Sequence, residues 1–325
     1  MGTHVNTVQG RMAIDDLGRT LVHEHVLIGF PGWFMDARQP PFKRDDAMSR
    51  VVDAFQELHA HGVRSVVDPC PMDLGRDVEF CAEVSQKSGI NLICATGVYV
   101  QDMGIPWTVN QLPVDAIAEG FIKEIEDGVA ATGIRCGVIK IATGNGAVTD
   151  YERKMITAAA RASKATGVPL ISHTENCTCG HDQIDIATGE GLPPTSLIVG
   201  HSDGTEDLAY QTSLAERGVY VGFDRFGLEM GAVPDAVRIK NLKALVDAGH
   251  RDRLMVSHDT VNCWLGAYGA MDPLELNRIM PNWKMTHLFE NIFPQLVAAG
   301  MSQADLDHIV IENPRRYFDE AAKAG

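Results

Sequence analysis

Long apolar runs are absent from this sequence of 325 residues. No stretch approaches the roughly 18 consecutive apolar residues that a membrane-spanning helix needs, so we expect no transmembrane segment. Residues 1–19 are polar and lack the apolar core of a secretory signal. The sequence therefore predicts a cytoplasmic protein that does not act in a membrane.

Positive charge is also scarce. The chain has 28 Lys and Arg against 43 Asp and Glu, which gives a formal net charge of −15. Binding to a phosphate backbone requires a basic stripe, and the sequence contains none. An anionic membrane surface is disfavoured for the same reason. We expect neither nucleic acid nor membrane as a partner.

Cysteine is limited to seven residues that are mostly scattered singly. An odd, dispersed set does not form a disulfide framework and is typical of a reducing compartment. Cys177 and Cys179 are the one close pair, and no second pair follows at zinc-finger spacing. We interpret this pair as part of a loop, with a redox or metal-binding role as the alternative.

What the sequence does contain is an alternation of short, β-branched apolar runs with longer helical patterns. Eight strands are predicted, at Thr20–Val26, Ser65–Asp68, Asn91–Val98, Cys136–Ile141, Pro169–His173, Ser196–His201, Val219–Asp224 and Arg253–Asp259. Helices are predicted between them, for instance at Asp45–His61, Arg76–Ser88, Val114–Ala131, Asp150–Thr166, Thr205–Glu216 and Asp235–Ala248, and in the tail at Trp283–Ala299 with a closing element at Ser302–Val310.

Eight such units predict an α/β fold in which a single domain, residues 1–325, forms a (β/α)8 TIM barrel. An open, doubly wound sheet is the alternative. No glycine-rich dinucleotide fingerprint follows the first strand, which disfavours that alternative.

The first predicted strand carries a His-x-His pair, His23 and His25. In an extended strand, side chains at i and i+2 point to the same face about 6.6 Å apart. Two neutral imidazoles in that arrangement can bind one divalent cation.

Further polar residues fall at or near the C-terminal ends of later strands: Lys140, His173, His201 and Asp259. Barrel enzymes build their sites at this face. A single buried histidine is more often a packing residue, and a strand-end aspartate often caps the next helix. A buried ammonium without a partner, however, costs several kcal/mol. The shared location favours a metal site, and its nitrogen and oxygen donors suit Zn, Mn, Co or Fe.

The lysine can serve such a site if its neutral amine captures carbon dioxide, because the resulting carbamate is an anionic donor able to bridge two ions. The other predicted ligands then divide into two groups: His23, His25 and Asp259 for one ion, and His173 and His201 for the other. Two ions about 3.5–4 Å apart can share a nucleophilic hydroxide and polarise a carbonyl or phosphoryl oxygen. Asp259 can accept the proton of that hydroxide.

This ordered set of residues resembles the phosphotriesterase family of the amidohydrolase superfamily. The likeness runs from Gly-Arg-Thr-Leu-Val-His-Glu-His at 18–25 to Glu-Asn-Pro-Arg-Arg-Tyr-Phe at 312–318, which is nearly the whole chain. The resemblance implies a binuclear centre bridged by N6-carboxylated Lys140. It implies two divalent ions per subunit, zinc first and cobalt, iron or manganese as alternatives, and a homodimer.

Finer features resemble the phosphotriesterase-like lactonases. The resemblance places their substrate tyrosine at Tyr99, where the hydroxyl would steer the ring or protonate a leaving alkoxide, and their arginine at Arg225. True phosphotriesterases tend to carry a histidine at the arginine position, and a longer insertion in place of the short segment 226–234. Ordinary packing of Tyr99 and a salt bridge from Arg225 to Asp224 or Glu229 are the alternatives.

The stretch after Asp259, Thr260–Asn282, is predicted to be a specificity loop, since long loops are commonly binding loops or lids. It is rich in apolar residues: Trp264, Leu265, Tyr268, Met271, Leu274, Leu276, Ile279 and Met280. We predict that Trp264 forms a wall of the substrate pocket. An apolar loop suits a substrate with an acyl or alkyl chain.

The sequence and the resemblance together predict a hydrolase that opens N-acyl-homoserine lactones or γ/δ-lactones, with Asp259, Tyr99 and Arg225 as its catalytic residues. Promiscuous hydrolysis of organophosphate triesters is expected beside this activity. The alternatives are a dedicated phosphotriesterase or aryl esterase and, from a different class, a metal-binding barrel without catalysis.

Overall fold

A short antiparallel hairpin begins the chain in the computed structural model, which describes residues 3–39, 41–230, 232–266, 276 and 278–325. Its strands are β1, His4–Thr7, and β2, Gly10–Ala13. Val5 of the hairpin packs with Ile14 and Leu17 against side chains that fill the inside of the main sheet. The hairpin thus covers one end of the sheet. It was not predicted, because each strand has only four residues and little apolar alternation.

Eight parallel strands form the main sheet in unbroken sequential order. They are β3 Arg19–Leu21, β4 Val63–Asp68, β5 Asn91–Gly97, β6 Val138–Thr143, β7 Leu170–Thr174, β8 Leu197–Val199, β9 Tyr220–Phe223 and β10 Leu254–Val256. Every residue of β6 and β7 is buried, as expected for strands with helices on one side and a filled interior on the other.

Helices follow the strands and pack on the outside of the sheet. They are α1 Arg44–Ala60, α2 Val78–Ser88, α3 Trp107–Gln111, α4 Val114–Glu126, α5 Asp150–Thr166, α6 Gly180–Gly189, α7 Leu208–Glu216, α8 Asp235–Asp247, α9 Phe293–Ala298, α10 Gln303–Asp307 and α11 Asn313–Ala324. α5 shows why the predicted bounds are accurate where local signals are strong. Thr149 and Glu152 form a capping box at its start, and Gly167 ends it with φ of 72°.

The sheet closes into a barrel through contacts beyond the ends of β3 and β10. Asp259 N donates to His23 O at 3.0 Å, and His25 N donates to Thr260 O at 2.8 Å. Isolated parallel bridges link His25 to Val261 and Ile28 to Trp264. The predicted (β/α)8 barrel is confirmed.

A buried carboxylate, Glu24, joins the two strands at this closure. It accepts hydrogen bonds from Ser257 Oγ at 2.9 Å, from His258 N at 2.9 Å and Nδ1 at 2.7 Å, and from Thr260 N at 3.1 Å. The Thr260 hydroxyl donates to it as well. All of its partners lie in the segment that carries Asp259, so Glu24 fastens the first barrel strand to the last.

Several predicted bounds are wrong at the C-terminal ends. Three strands end at least two residues earlier than predicted, at Leu21, Val199 and Val256, because the chain leaves the extended conformation before the polar residues. β6 and β7 end later than predicted, at Thr143 and Thr174. The helix predicted to reach Ala131 ends at Glu126, where a turn with Gly128 at φ of 105° follows.

The C-terminal tail also differs from the prediction. Helical structure continues past Val310 through a π-helical turn, His308–Glu312, into α11. Pro314 lies in the first turn of α11, where proline is tolerated. No described helix is long and apolar enough to cross a bilayer.

We predict that Glu24→Gln lowers the free energy of unfolding by about 3 kcal/mol, because an amide nitrogen would face buried donors and leave them unpaired. Guanidinium denaturation measures this change. The control is Glu57→Gln, an exposed position on α1, which should leave the midpoint unchanged. An equal midpoint for Glu24→Gln and wild type would contradict the role of this carboxylate.

Candidate active site

Six polar side chains predicted from the sequence meet at the C-terminal end of the barrel. His23 Nε2 lies 3.1 Å from Lys140 Nζ and 3.4 Å from Asp259 Oδ1. His25 Nε2 lies 3.2 Å from the same Asp259 oxygen. Two imidazoles therefore approach one carboxylate oxygen, and the Lys140 amine lies beside one of them.

The other two histidines lie beside this group. The His201 ring centroid is 4.9 Å from that of His23 and 4.6 Å from that of His173. His201 Nε2 is 3.8 Å from Asp259 Oδ2. One ligand atom each from His23, His201 and Asp259 lie within 4.8 Å of one another. The structure thus brings together every residue of the predicted ligand set, and their roles as ligands stay a prediction.

Backbone strain accompanies two of these residues. His201 and Asp259 have φ of 58° and 54°, in the left-handed region that residues other than glycine rarely adopt. Such conformations cluster at functional sites. The His23 and His25 rings lie 5.3 Å apart and are inclined by 74°, so the pair departs from regular strand geometry.

One buried carboxylate orients two of the imidazoles. Asp224 accepts from His23 Nδ1 through Oδ2 and from His201 Nδ1 through Oδ1, each at 2.9 Å, and it is fully buried. It also accepts the backbone N–H of His201 at 2.8 Å. These bonds place the ring protons on Nδ1 and leave Nε2 of both rings free to bind a cation.

The other two imidazoles have carboxylate partners of their own. His25 Nδ1 lies 3.1 Å from Asp68 Oδ1, and His173 Nε2 lies 3.1 Å from Glu175 Oε2. His173 Nδ1 in turn lies 3.3 Å from the Tyr99 hydroxyl. All four histidines therefore have a carboxylate on one nitrogen, an arrangement that is typical of metal-binding histidines.

The protonation states suit a metal site. Burial lowers the pKa of His173 to about 4 and that of His201 well below its ordinary value. Burial lowers the pKa of Lys140 to about 8, which favours the neutral amine that reacts with carbon dioxide. Burial opposes the protonation of His25 too, but hydrogen bonds with Asp259 and Asp68 raise its pKa well above the ordinary value. A proton there lies where a cation would bind.

A second group of possible ligands comprises His25, Asp68 and Cys70. Asp68 is occupied by hydrogen bonds from the backbone of Val26 and Cys70, at 3.1 and 3.0 Å. The Cys70 thiol donates to Leu74 O at 3.3 Å. These bonds hold the Asp68 carboxylate in place against His25 Nδ1, on the side of the ring away from Asp259.

The pocket above these residues has a volume of about 450 Å³. One wall is apolar and is formed by Ile28, Phe30, Leu74, Val261 and Trp264. The Phe30 and Trp264 rings stack with centroids 5.9 Å apart. Trp264 thus lies in the pocket wall, and its contact with substrate stays a prediction.

Tyr99 and Arg225 line the same pocket. Asp73 holds the Tyr99 backbone N–H through both oxygens, at 3.0 and 3.1 Å. Arg225 Nε donates to Asp259 Oδ2 at 3.0 Å, so its carboxylate partner is Asp259, whereas the sequence suggested Asp224 or Glu229. The Arg225 guanidinium therefore touches the predicted proton acceptor directly.

Part of the predicted specificity loop can be placed. Leu265, Leu276 and Met280 are buried, and Ile279 is 41% exposed. Tyr268, Met271 and Leu274 lie outside the described residues.

Comparison with known proteins agrees with the geometry. The profile of the Phosphotriesterase family matches residues 3–318. An aryldialkylphosphatase of Saccharolobus solfataricus is 33% identical over 93% of this chain and 95% of its own length. An organophosphorus hydrolase from Deinococcus radiodurans superposes with a TM-score of 0.92 at 36% identity, covering 98% of this chain and 97% of its own. A mutant PTE-like lactonase from the same organism superposes with a TM-score of 0.91 at 36% identity, covering 97% of this chain and 99% of its own.

The barrel, the candidate ligand groups at its mouth and the similar proteins identify a metal-dependent ester hydrolase. Within that class, the chain belongs to the phosphotriesterase family, whose members are binuclear metal hydrolases. The alternative of a metal-binding barrel without catalysis is thereby set aside.

We predict that Asp224→Asn weakens the binding of divalent metal by about 10- to 100-fold, since it removes a shared acceptor from two imidazoles. Competition with a chromophoric chelator measures the Zn²⁺ dissociation constant. Asp53→Asn, an exposed change on α1, serves as the control. Metal affinity at the wild-type level in Asp224→Asn would disprove the orienting role.

Proposed function

We propose that this protein opens lactones, with N-acyl-homoserine lactones and γ/δ-lactones as its substrate class. The observation that carries the proposal is the apolar wall around Trp264, which adjoins the six polar donors in one pocket. Such a wall suits a substrate with an acyl or alkyl chain attached to a small polar ring. Organophosphate triesters are proposed as secondary substrates.

The donor set supports two divalent ions, zinc first, then cobalt, iron or manganese. One ion would be held by His23, His25 and Asp259, and the other by His173 and His201. Lys140, carboxylated on Nζ, would be the shared ligand. Such an ion pair supplies a nucleophile at neutral pH and polarises the bond under attack.

The chain's own catalytic residues are proposed to act around the scissile ester. Asp259 accepts a proton, and Arg225 fixes the orientation of its carboxylate through the 3.0 Å hydrogen bond to Oδ2. The Tyr99 hydroxyl, held near His173, steers the ring or protonates the leaving alkoxide. Asp73 keeps Tyr99 at this position by binding its backbone.

A dedicated phosphotriesterase or aryl esterase is the second candidate. It is supported by the activities named for the Saccharolobus and Deinococcus proteins. Arg225, where phosphotriesterases tend to have histidine, favours the lactonase.

We also propose a homodimer and a cytoplasmic location for the single hydrolase domain, residues 1–325. Phe34 and Met35, in a short helical turn, and Trp107, at the start of α3, are 73%, 76% and 74% exposed, and the segments that carry them come close where Gly104 meets Pro31. Exposed aromatic residues of this kind are common at subunit interfaces. Seven free thiols suit a reducing compartment. Light scattering distinguishes the dimer from a monomer.

The substrate assignment is tested by comparing kcat/KM for an N-acyl-homoserine lactone, a δ-lactone and a paraoxon-type triester. We expect both lactones to exceed the triester by at least about tenfold, because the apolar wall binds their chains. A triester that is turned over faster than both lactones would reverse the assignment in favour of the second candidate.

The ligand role of Lys140 is tested by Lys140→Ala. We expect hydrolysis to fall by at least about 1,000-fold and bound metal to fall below two ions per chain, measured by elemental analysis. Lys240→Ala, exposed on α8, is the matched control. Full activity and full metal content in Lys140→Ala would refute the role.

A further inference from the structure

The loop between β7 and α6 is strained at three residues. Asn176, Cys177 and Cys179 have φ of 51°, 55° and 62°, although none is glycine. Each such residue costs about 1 kcal/mol or more, and this cost persists only where surrounding contacts enforce it. The loop lines the pocket, so its strain points to a functional constraint on what it presents there.

What the loop fixes is the position of Glu175. The Glu175 carbonyl accepts from Thr178 N at 3.0 Å and from Thr178 Oγ1 at 2.7 Å. Thr178 Oγ1 accepts in turn from Gly146 N at 2.9 Å, and Cys177 Sγ donates to His201 O at 3.1 Å. The Glu175 backbone is thus tied to both neighbouring units of the barrel.

The Glu175 side chain differs from the other carboxylates that bind the imidazoles. The side chains of Asp68 and Asp224 are 4% and 0% exposed, whereas that of Glu175 is 46% exposed and lines the pocket. Its Oε2 accepts from His173 Nε2. Among the described residues, Oε1 has no hydrogen-bond partner. One acceptor therefore remains for a molecule in the pocket.

Glu175 also faces the apolar wall across the mouth of the barrel. It follows β7, which is four strands from β3 in the eight-stranded order. The wall residues Ile28 and Trp264 follow β3 and β10. The pocket thus has an apolar side that suits an acyl or alkyl chain of the substrate. The opposite side carries the Glu175 acceptor for a polar group, and the predicted metal ligands lie between the two.

We propose that Glu175 Oε1 accepts a hydrogen bond from an amide N–H beside the scissile ester of the substrate. Glu175 would then select N-acyl-homoserine lactones, which carry such an N–H, over lactones of equal chain length that lack one. This inference rests on the proposed lactonase function and narrows its substrate class.

Glu175→Gln is the discriminating variant. His173 Nε2 carries a proton when Nδ1 faces the ligand cluster, so the glutamine oxygen keeps that bond. The amide nitrogen then takes the place of Oε1 and presents a donor to the substrate N–H. We expect the ratio of kcat/KM for an acyl-homoserine lactone to that for an alkyl γ-lactone of equal chain length to fall about tenfold, mainly through KM.

The control is Glu216→Gln, an exposed position on α7, which should keep the wild-type ratio. Metal content of each variant is measured in parallel. A Glu175→Gln enzyme with an unchanged ratio, whether or not its metal content falls, would overturn the inference and leave Glu175 only an orienting role for His173. Wild-type protein that hydrolyses neither lactone would instead overturn the proposed function itself.

Discussion

The site depends on the constraint that a carboxylate removed from water must be surrounded by donors. Asp224 satisfies this constraint by accepting hydrogen bonds from His23 and His201, which are the predicted ligands of different ions. The carboxylate is stabilised because the imidazoles are there, and the imidazoles are oriented because the carboxylate is there. Removal of either partner leaves the other without its hydrogen bond, so the orientation of the imidazoles and the stability of the fold depend on the same contacts.

The same reasoning explains how the barrel closes. β3 and β10 are joined by Glu24 and by bonds beyond the regular strands. His23 and His25 on one side of this closure and Asp259 on the other belong to the same proposed ion site. Closure of the barrel therefore also completes that site, and a barrel open between β3 and β10 would separate its proposed ligands.

Much of this architecture could be predicted from the sequence, because β-branched runs and helical patterns alternate eight times and polar residues recur at the strand ends. Asp68, Asp224 and Glu175 were not singled out as histidine partners. In the sequence, a strand-end carboxylate that caps a helix cannot be distinguished from one that binds an imidazole. Only the closure of the barrel brings Asp224 between His23 and His201, which are 178 positions apart in the chain. The left-handed backbone at Asp259 likewise has no local signal, since it arises from tertiary contacts.

The donors sit at the strand ends, whereas the apolar wall, with Phe30 and Trp264, belongs to the loops that follow. The residues proposed to bind metal and the apolar wall are thus encoded in separate portions of the chain. The loops that carry this wall can change in length or composition without moving an imidazole, so descendants of this barrel can acquire new substrate preferences by exchange of these loops while they keep the metal-binding residues.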